Sequence, residues 1–170
     1  LVGKSKMNDR ERDWILSLLP EDGSVLEIGT HHGVTASYWA TKRPDLEVIS
    51  VDPFRDGHMA ASGSIEYWRK NAQDNQALYI ATSVEFLNQW DWTHAFDAVF
   101  VDGDHSFKWC SIDLQVAKLL VTDTGLIMAH DHAPGPNCKP VRRAVNEFCA
   151  EGFYEMVEKE HRTAVMRRKK

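Results

Sequence analysis

The chain has 170 residues, 43% apolar and 26% charged, which suits a single domain over 1–170 and excludes disordered or collagen-like classes. Twenty-five acidic residues against 20 basic ones leave a net charge of −5, which argues against nucleic acid as a partner. No apolar run approaches the roughly 18 residues of a membrane span, so no membrane partner is expected.

The first helix starts where Asn8 precedes Glu11 by three residues, and Trp14, Ile15, Leu18 and Leu19 then share one face up to Pro20. A strand over 24–28 (SVLEI), a helix over 34–43 closed by Pro44, and a second strand over 47–51 (EVISV) follow. A long loop over 53–64 leads to a short helix at 65–71, and 77–81 (ALYIA) reads as a third strand. Thr82 and Glu85 have capping-box spacing for the next helix. The run 96–101 (FDAVFV) is nearly all apolar and reads as a central strand. A helix with Cys110, Leu114, Ala117 and Val121 on one stripe precedes a fifth strand at 125–129 (GLIMA). After a loop over 130–139, Pro140 suits the first turn of a helix that Gly152 closes. The segments 153–159 and 163–167 read as an antiparallel hairpin. Strands alternating with helices define an α/β domain with a mostly parallel, doubly wound sheet. Three cysteines without C-x-x-C spacing and a charged first twenty residues build neither a disulfide framework nor a secretory leader, so a cytoplasmic location is expected.

The turn after the first strand is Glu27-Ile28-Gly29-Thr30-His31-His32-Gly33. A glycine turn of this kind lets backbone approach a ligand, and the following helix offers free N–H groups to an anionic end. Asp52 ends the second strand 19 residues beyond Gly33, where a carboxylate can accept from ribose hydroxyls. The G-x-x-x-G spacing lacks the middle glycine that admits a pyrophosphate, so a nucleoside without a bridging diphosphate fits better than NAD. Taken singly, Gly29 also reads as a plain strand-to-helix turn and Asp52 as a loop start.

With these residues in place, the sequence resembles the class I S-adenosylmethionine-dependent methyltransferases. The segment from Val25 to Gly33 is similar to that family's first motif, and Val48-Ile49-Ser50-Val51-Asp52 to its second. The segments 96–102 and 125–129 are similar to its fourth- and fifth-strand motifs. The resemblance implies a Rossmann-like seven-stranded sheet whose last strand is antiparallel, and S-adenosylmethionine as cofactor. By position it places Gly29, Thr30 and Gly33 along the methionine part, Asp52 on the ribose, and Thr82 and Ser83 near the adenine, with Glu27 also among the cofactor-binding residues. Both hydroxyl residues also read as helix caps.

Strand four runs into Asp102-Gly103-Asp104-His105-Ser106 and strand five into His130-Asp131-His132. In an open α/β sheet these strand ends face one crevice, and carboxylates with imidazoles can hold a divalent ion. The cluster is similar to that of the metal-dependent small-molecule O-methyltransferases. That resemblance implies metal ligands at Asp102 and Asp131, with His132 or His130 replacing the usual third ligand, and a base at His105. The ion would be Mg²⁺, Mn²⁺ or Fe²⁺. In the plainer alternative Asp102 only orients the cofactor and the histidines are solvated.

The sequence thus points to methyl transfer onto an oxygen of a small-molecule acceptor, with His105 and Asp102 as the catalytic pair. The rivals are a non-catalytic cofactor-binding subunit and an NAD-linked oxidoreductase. The loops 53–64 and 131–139 stand where substrate-covering segments are expected. Six tryptophans read mainly as packing, and the sequence leaves open whether the chain forms a homo-oligomer.

Overall fold

The computed structural model of the protein describes residues 1–3, 5–54, 61–91 and 95–170. Helix α1 (Asp9–Ser17) begins at Asn8, whose side chain accepts from the Glu11 N–H at 3.0 Å. The chain continues through β1 (Ser24–Ile28), α2 (Val34–Lys42), β2 (Glu47–Val51), α3 (Ala61–Asn71) and β3 (Gln76–Tyr79). It then forms α4 (Ser83–Gln89), β4 (Phe96–Val101), α5 (Phe107–Leu120), β5 (Val121–Ala129), α6 (Lys139–Ala150), β6 (Tyr154–Glu160) and β7 (Thr163–Arg168). None of these helices is long and apolar enough to cross a membrane.

The strands form one seven-stranded sheet in the order β3-β2-β1-β4-β5-β7-β6. Neighbours from β3 to β5 pair in parallel, while β7 pairs antiparallel with both β5 and β6. This is the Rossmann-like methyltransferase architecture that the sequence predicts. Both faces of the central strands are covered, so each strand divides its side chains between two cores. Along β4, Val99 and Val101 pack with Leu26, Leu114 and Phe148, while Ala98 and Phe100 pack with Val25, Trp39 and Met128. Trp39, Trp68 and Trp90 are buried, in line with a packing role; Trp92 lies outside the described residues.

Several boundaries differ from the sequence reading, those of α3, β3 and β5 among them. Helix α3 begins at Ala61 rather than at 65, because Ser62, Gly63 and Ser64 are weak helix formers and read as loop in the sequence. Most of the remaining expected loop, residues 55–60, lies outside the described residues. Strand β3 ends at Tyr79, leaving Ile80 and Ala81 for the turn into α4. Strand β5 starts at Val121, directly after α5, and its register against β4 shifts between the Phe96–Val121 and Ala98–Leu126 pairs. The extra residues 122–125 form a bulge at which Gly125 presses on the Asp97 carbonyl, and a strand pattern broken by a bulge is hard to read in sequence.

The strand order reverses between β1 and β4, and beyond the carboxyl ends at such a point open α/β sheets take their ligands. Gly29 sits at this point with φ +90°, and a Cβ there would stand 2.5 Å from the Asp102 carbonyl oxygen and from Gly103 Cα. Only glycine permits this approach. Gly152 also has positive φ, +91°, but nothing lies within 4 Å of its missing Cβ. Gly29→Ala should therefore cost about 2–5 kcal/mol in urea denaturation, from backbone strain plus backbone overlap, against about 1 kcal/mol for Gly152→Ala. Equal losses would show that the β1 turn has room to relax.

Candidate active site

The residues expected on the cofactor side gather at the carboxyl edge of β1, β2 and β3. Hydrogen bonds from Gly29 N–H to the Val51 carbonyl (2.8 Å) and from Asp52 N–H to the Tyr79 carbonyl (3.2 Å) continue the sheet into the turns. The Asp52 carboxylate accepts from the His31 N–H at 2.9 Å and the Phe54 N–H at 2.8 Å, one bond to each oxygen. Two backbone donors fix the carboxylate while leaving lone pairs on both oxygens for further hydroxyl donors. His31 adopts φ +50° to make this contact, and its ring stacks on His32 at 3.8 Å. Gly33 caps α2 with φ +70°, and a Cβ there would meet the Trp68 ring at 2.5 Å.

Glu27 is buried beneath the turn, where burial raises its pKa to about 8 and keeps the carboxyl protonated at neutral pH. Ser50 Oγ lies 3.1 Å from its Oε2. Thr30 is buried beside it. Thr82 forms the expected capping box, accepting from the Glu85 N–H and donating its own N–H to Glu85 Oε2 at 2.7 Å. Ser83 donates its hydroxyl to Asp113 Oδ1 at 2.5 Å.

The second cluster forms at the ends of β4 and β5. His130 Nδ1 lies 3.0 Å from Asp102 Oδ1, and His105 Nε2 lies 3.1 Å from Asp131 Oδ2 and 3.7 Å from Asp102 Oδ1. The Arg162 guanidinium binds Asp131 Oδ1 and lies 3.3 Å from Cys138 Sγ. Asp131 adopts φ +57°, a left-handed conformation that aspartate tolerates better than most residues. Of the three cluster histidines, the His105 side chain is 40% exposed, the His130 side chain is 2% exposed and His132 is buried.

Buried Glu11 on α1 completes the cluster. It accepts from the Thr163 hydroxyl at 3.0 Å and the Arg162 N–H at 3.2 Å, and lies 3.6 Å from His130 Nε2. Burial alone would push the His130 pKa down, but Asp102, Glu11 and Asp131 outweigh it and raise the value to about 10. His130 is therefore an imidazolium between two carboxylates. Its charge and the hydrogen bonds from both histidines hold the Asp102 pKa below the usual value despite burial. The Asp102 hydrogen bond and the Asp131 charge raise the His105 pKa against opposing burial. Burial pushes the His132 imidazole below its usual pKa and keeps it neutral.

The structure thus brings Asp102, His105 and Asp131 together, with donor atoms all within 4.8 Å of one another. His132 stands outside this group, its N–H bonded to the Arg162 carbonyl at 2.8 Å. Two carboxylates and an imidazole suit Mn²⁺ or Fe²⁺ by donor chemistry. His130 and Arg162 already hold one oxygen of each carboxylate. Sequence reasoning missed Glu11, Asp113 and Arg162. The Asn8–Glu11 spacing did mark Glu11, but as a helix cap, whereas its carboxylate turns inward.

The sequence profile of the methyltransferase domain family matches residues 26–132, more than half of the chain, and the protein belongs to that family. It is an S-adenosylmethionine-dependent methyltransferase. Among solved structures it is similar to an O-methyltransferase from Bacillus cereus in complex with SAH, at 15% identity and TM-score 0.72, covering 95% of this chain and 81% of that one. A candidate caffeoyl-CoA O-methyltransferase from Staphylococcus aureus aligns at 16% identity and TM-score 0.75, over 97% and 86% of the two chains. A ribosomal protein L11 methylase from Lactobacillus delbrueckii aligns at 15% identity and TM-score 0.64, over 95% and 78%. No curated protein sequence matches.

The charge on His130 has a measurable consequence. A histidine raised from 6.5 to about 10 contributes stability that is complete below pH 6.5 and is lost as pH rises through the folded value. Thermal melts from pH 6.5 to 10 should show a falling Tm for the wild type and a shallower fall for His130→Gln. Parallel slopes would show that His130 does not carry the charge.

Proposed function

We propose that the protein transfers a methyl group from S-adenosylmethionine to a hydroxyl oxygen of a small molecule, with His105 as general base. The observation that carries this reading is the exposed His105 ring held by the Asp131 carboxylate at the carboxyl edge of the sheet. The cofactor fits on the cradle of Gly29, Thr30 and Gly33, with its ribose hydroxyls on the outer lone pairs of Asp52 and its adenine near Thr82 and Ser83. When bound, it supplies an electrophilic methyl group.

The chain's own residues align the acceptor and move its proton. With the Nε2 proton donated to Asp131, the His105 lone pair lies on Nδ1. That nitrogen would take the hydroxyl proton as the oxygen–carbon bond forms and the methyl's bond to the donor sulfur breaks, leaving SAH, and Asp131 and Asp102 would stabilise the resulting imidazolium. Two of the solved neighbours carry O-methyltransferase names, in keeping with an oxygen acceptor. The ribosomal protein methylase shares the fold, so the choice of a small acceptor rests on the acidic charge of the chain.

A second reading rests on the grouping of Asp102, His105 and Asp131. These residues would hold Mg²⁺, Mn²⁺ or Fe²⁺, and the ion would lower the pKa of the acceptor hydroxyl. Arg162 would then have to leave Asp131.

Four measurements test these readings. Asp52→Ala should weaken SAH binding in calorimetry by about 1–3 kcal/mol, the cost of orphaned hydroxyl contacts. Unchanged affinity would remove Asp52 from the site. With labelled S-adenosylmethionine and a panel of hydroxylated acceptors, His105→Ala should slow transfer by about 10²–10⁴-fold. A raised His105 pKa makes the neutral base scarce at low pH, so transfer should be lost as pH falls through an inflection above 6.5. Full activity in chelator with this pH profile supports the base reading; loss of transfer with intact SAH binding supports the metal.

A further inference from the structure

Asp113 stands apart from the cluster of Asp102, His105 and Asp131. It lies on α5, is 6% exposed, and none of the ion pairs among the described residues includes it. Burial raises its pKa to about 6, an unfavourable setting for a carboxylate that serves packing alone. Its Oδ1 accepts from the Ser83 hydroxyl at 2.5 Å, a short charge-assisted bond that fixes the first residue of α4. Its Oδ2 lies 3.0 Å from where a Cβ on Gly103 would stand. Gly103 in turn is the residue against which the Gly29 turn is pressed.

The loops after β1, β4 and β3 are therefore packed in series: the Gly29 turn on Gly103, Gly103 on Asp113, and Asp113 on Ser83. We propose that Asp113 is a positioning residue for the nucleoside end of the cofactor, holding Ser83 at a set distance from the Gly29 turn. This inference rests on the cofactor site argued above. Asp113 acts through Ser83 and Gly103 and does not itself touch the ligand. A hydrophobic residue would fill the same space. Only an acceptor fixes the direction of the Ser83 hydroxyl.

The test is SAH binding by calorimetry on the full chain, with thermal melts for each variant. Asp113→Ala should raise the Kd by about tenfold, the range expected for losing one oriented hydrogen bond. Asp113→Asn keeps an acceptor for Ser83 and should stay within about threefold of the wild type, a rescue that loss of packing would not give. Ser83→Ala in the Asp113→Ala background should add no further loss, because the pair acts as a unit. If Asp113→Ala does not fold, Ser83→Ala alone must reproduce the weakened binding. Wild-type affinity in either single alanine variant, or losses that multiply in the double variant, overturns the proposal. A wild-type protein that does not bind SAH overturns the cofactor site itself, a failure distinct from unchanged affinity in the variants.

Discussion

The contact between the β1 turn and the start of the β4 loop governs the rest of the site. At Gly29 there is room for hydrogen and nothing larger, because the Asp102 carbonyl and the Gly103 backbone occupy the space a side chain would take. The approach brings the end of β1 against the residue that carries the Asp102 carboxylate. It also turns the following backbone so that the His31 N–H reaches Asp52 at the end of β2. One steric constraint thus sets the spacing between the Asp52 carboxylate and the β4–β5 cluster. A methyl donor and its acceptor must meet within about 3–3.5 Å in line. Such spacing has to be fixed before the ligands arrive.

Charge balance is the second organising feature. Glu11, Asp102 and Asp131 are carboxylates at or beneath the ends of β4 and β5, and His130, His105 and Arg162 face them. A buried carboxylate without a partner is costly, so each acid requires its cation. The consequence is architectural. Glu11 comes from α1, and Arg162 and Thr163 from the end of the hairpin, all outside residues 26–132 that match the methyltransferase family. The first helix and the last hairpin are thereby joined through His130 to Asp102. The two ends of the chain take part in the electrostatics of the site.

Much of this was legible in the sequence because it was local. Strand β4 was read to the residue from its apolar run, and the Thr82–Glu85 box from its spacing, since both signals lie within a few consecutive positions. Asp52 and the Gly29 turn were readable because strand-end chemistry is tied to the α/β pattern. The bulge in β5 was not, because residues 122–125 carry turn chemistry inside a strand that only its neighbour defines. Glu11, Asp113 and Arg162 were hidden for a related reason. Their partners lie 30 to 152 residues away, and a lone acidic or basic residue on a helix or in a hairpin turn ordinarily faces water. His132 was grouped with Asp131 by adjacency, whereas Asp131 lies in a left-handed turn beyond the end of β5, where neighbours in sequence need not share a direction.

A crystal structure of the protein with SAH tests the central claim most directly. The account predicts the ribose hydroxyls within hydrogen-bond distance of the Asp52 carboxylate, the homocysteine along Gly29–Gly33, and the sulfur facing the side on which His105 is exposed. A ligand bound away from Asp52, or with its sulfur turned from His105, would contradict it.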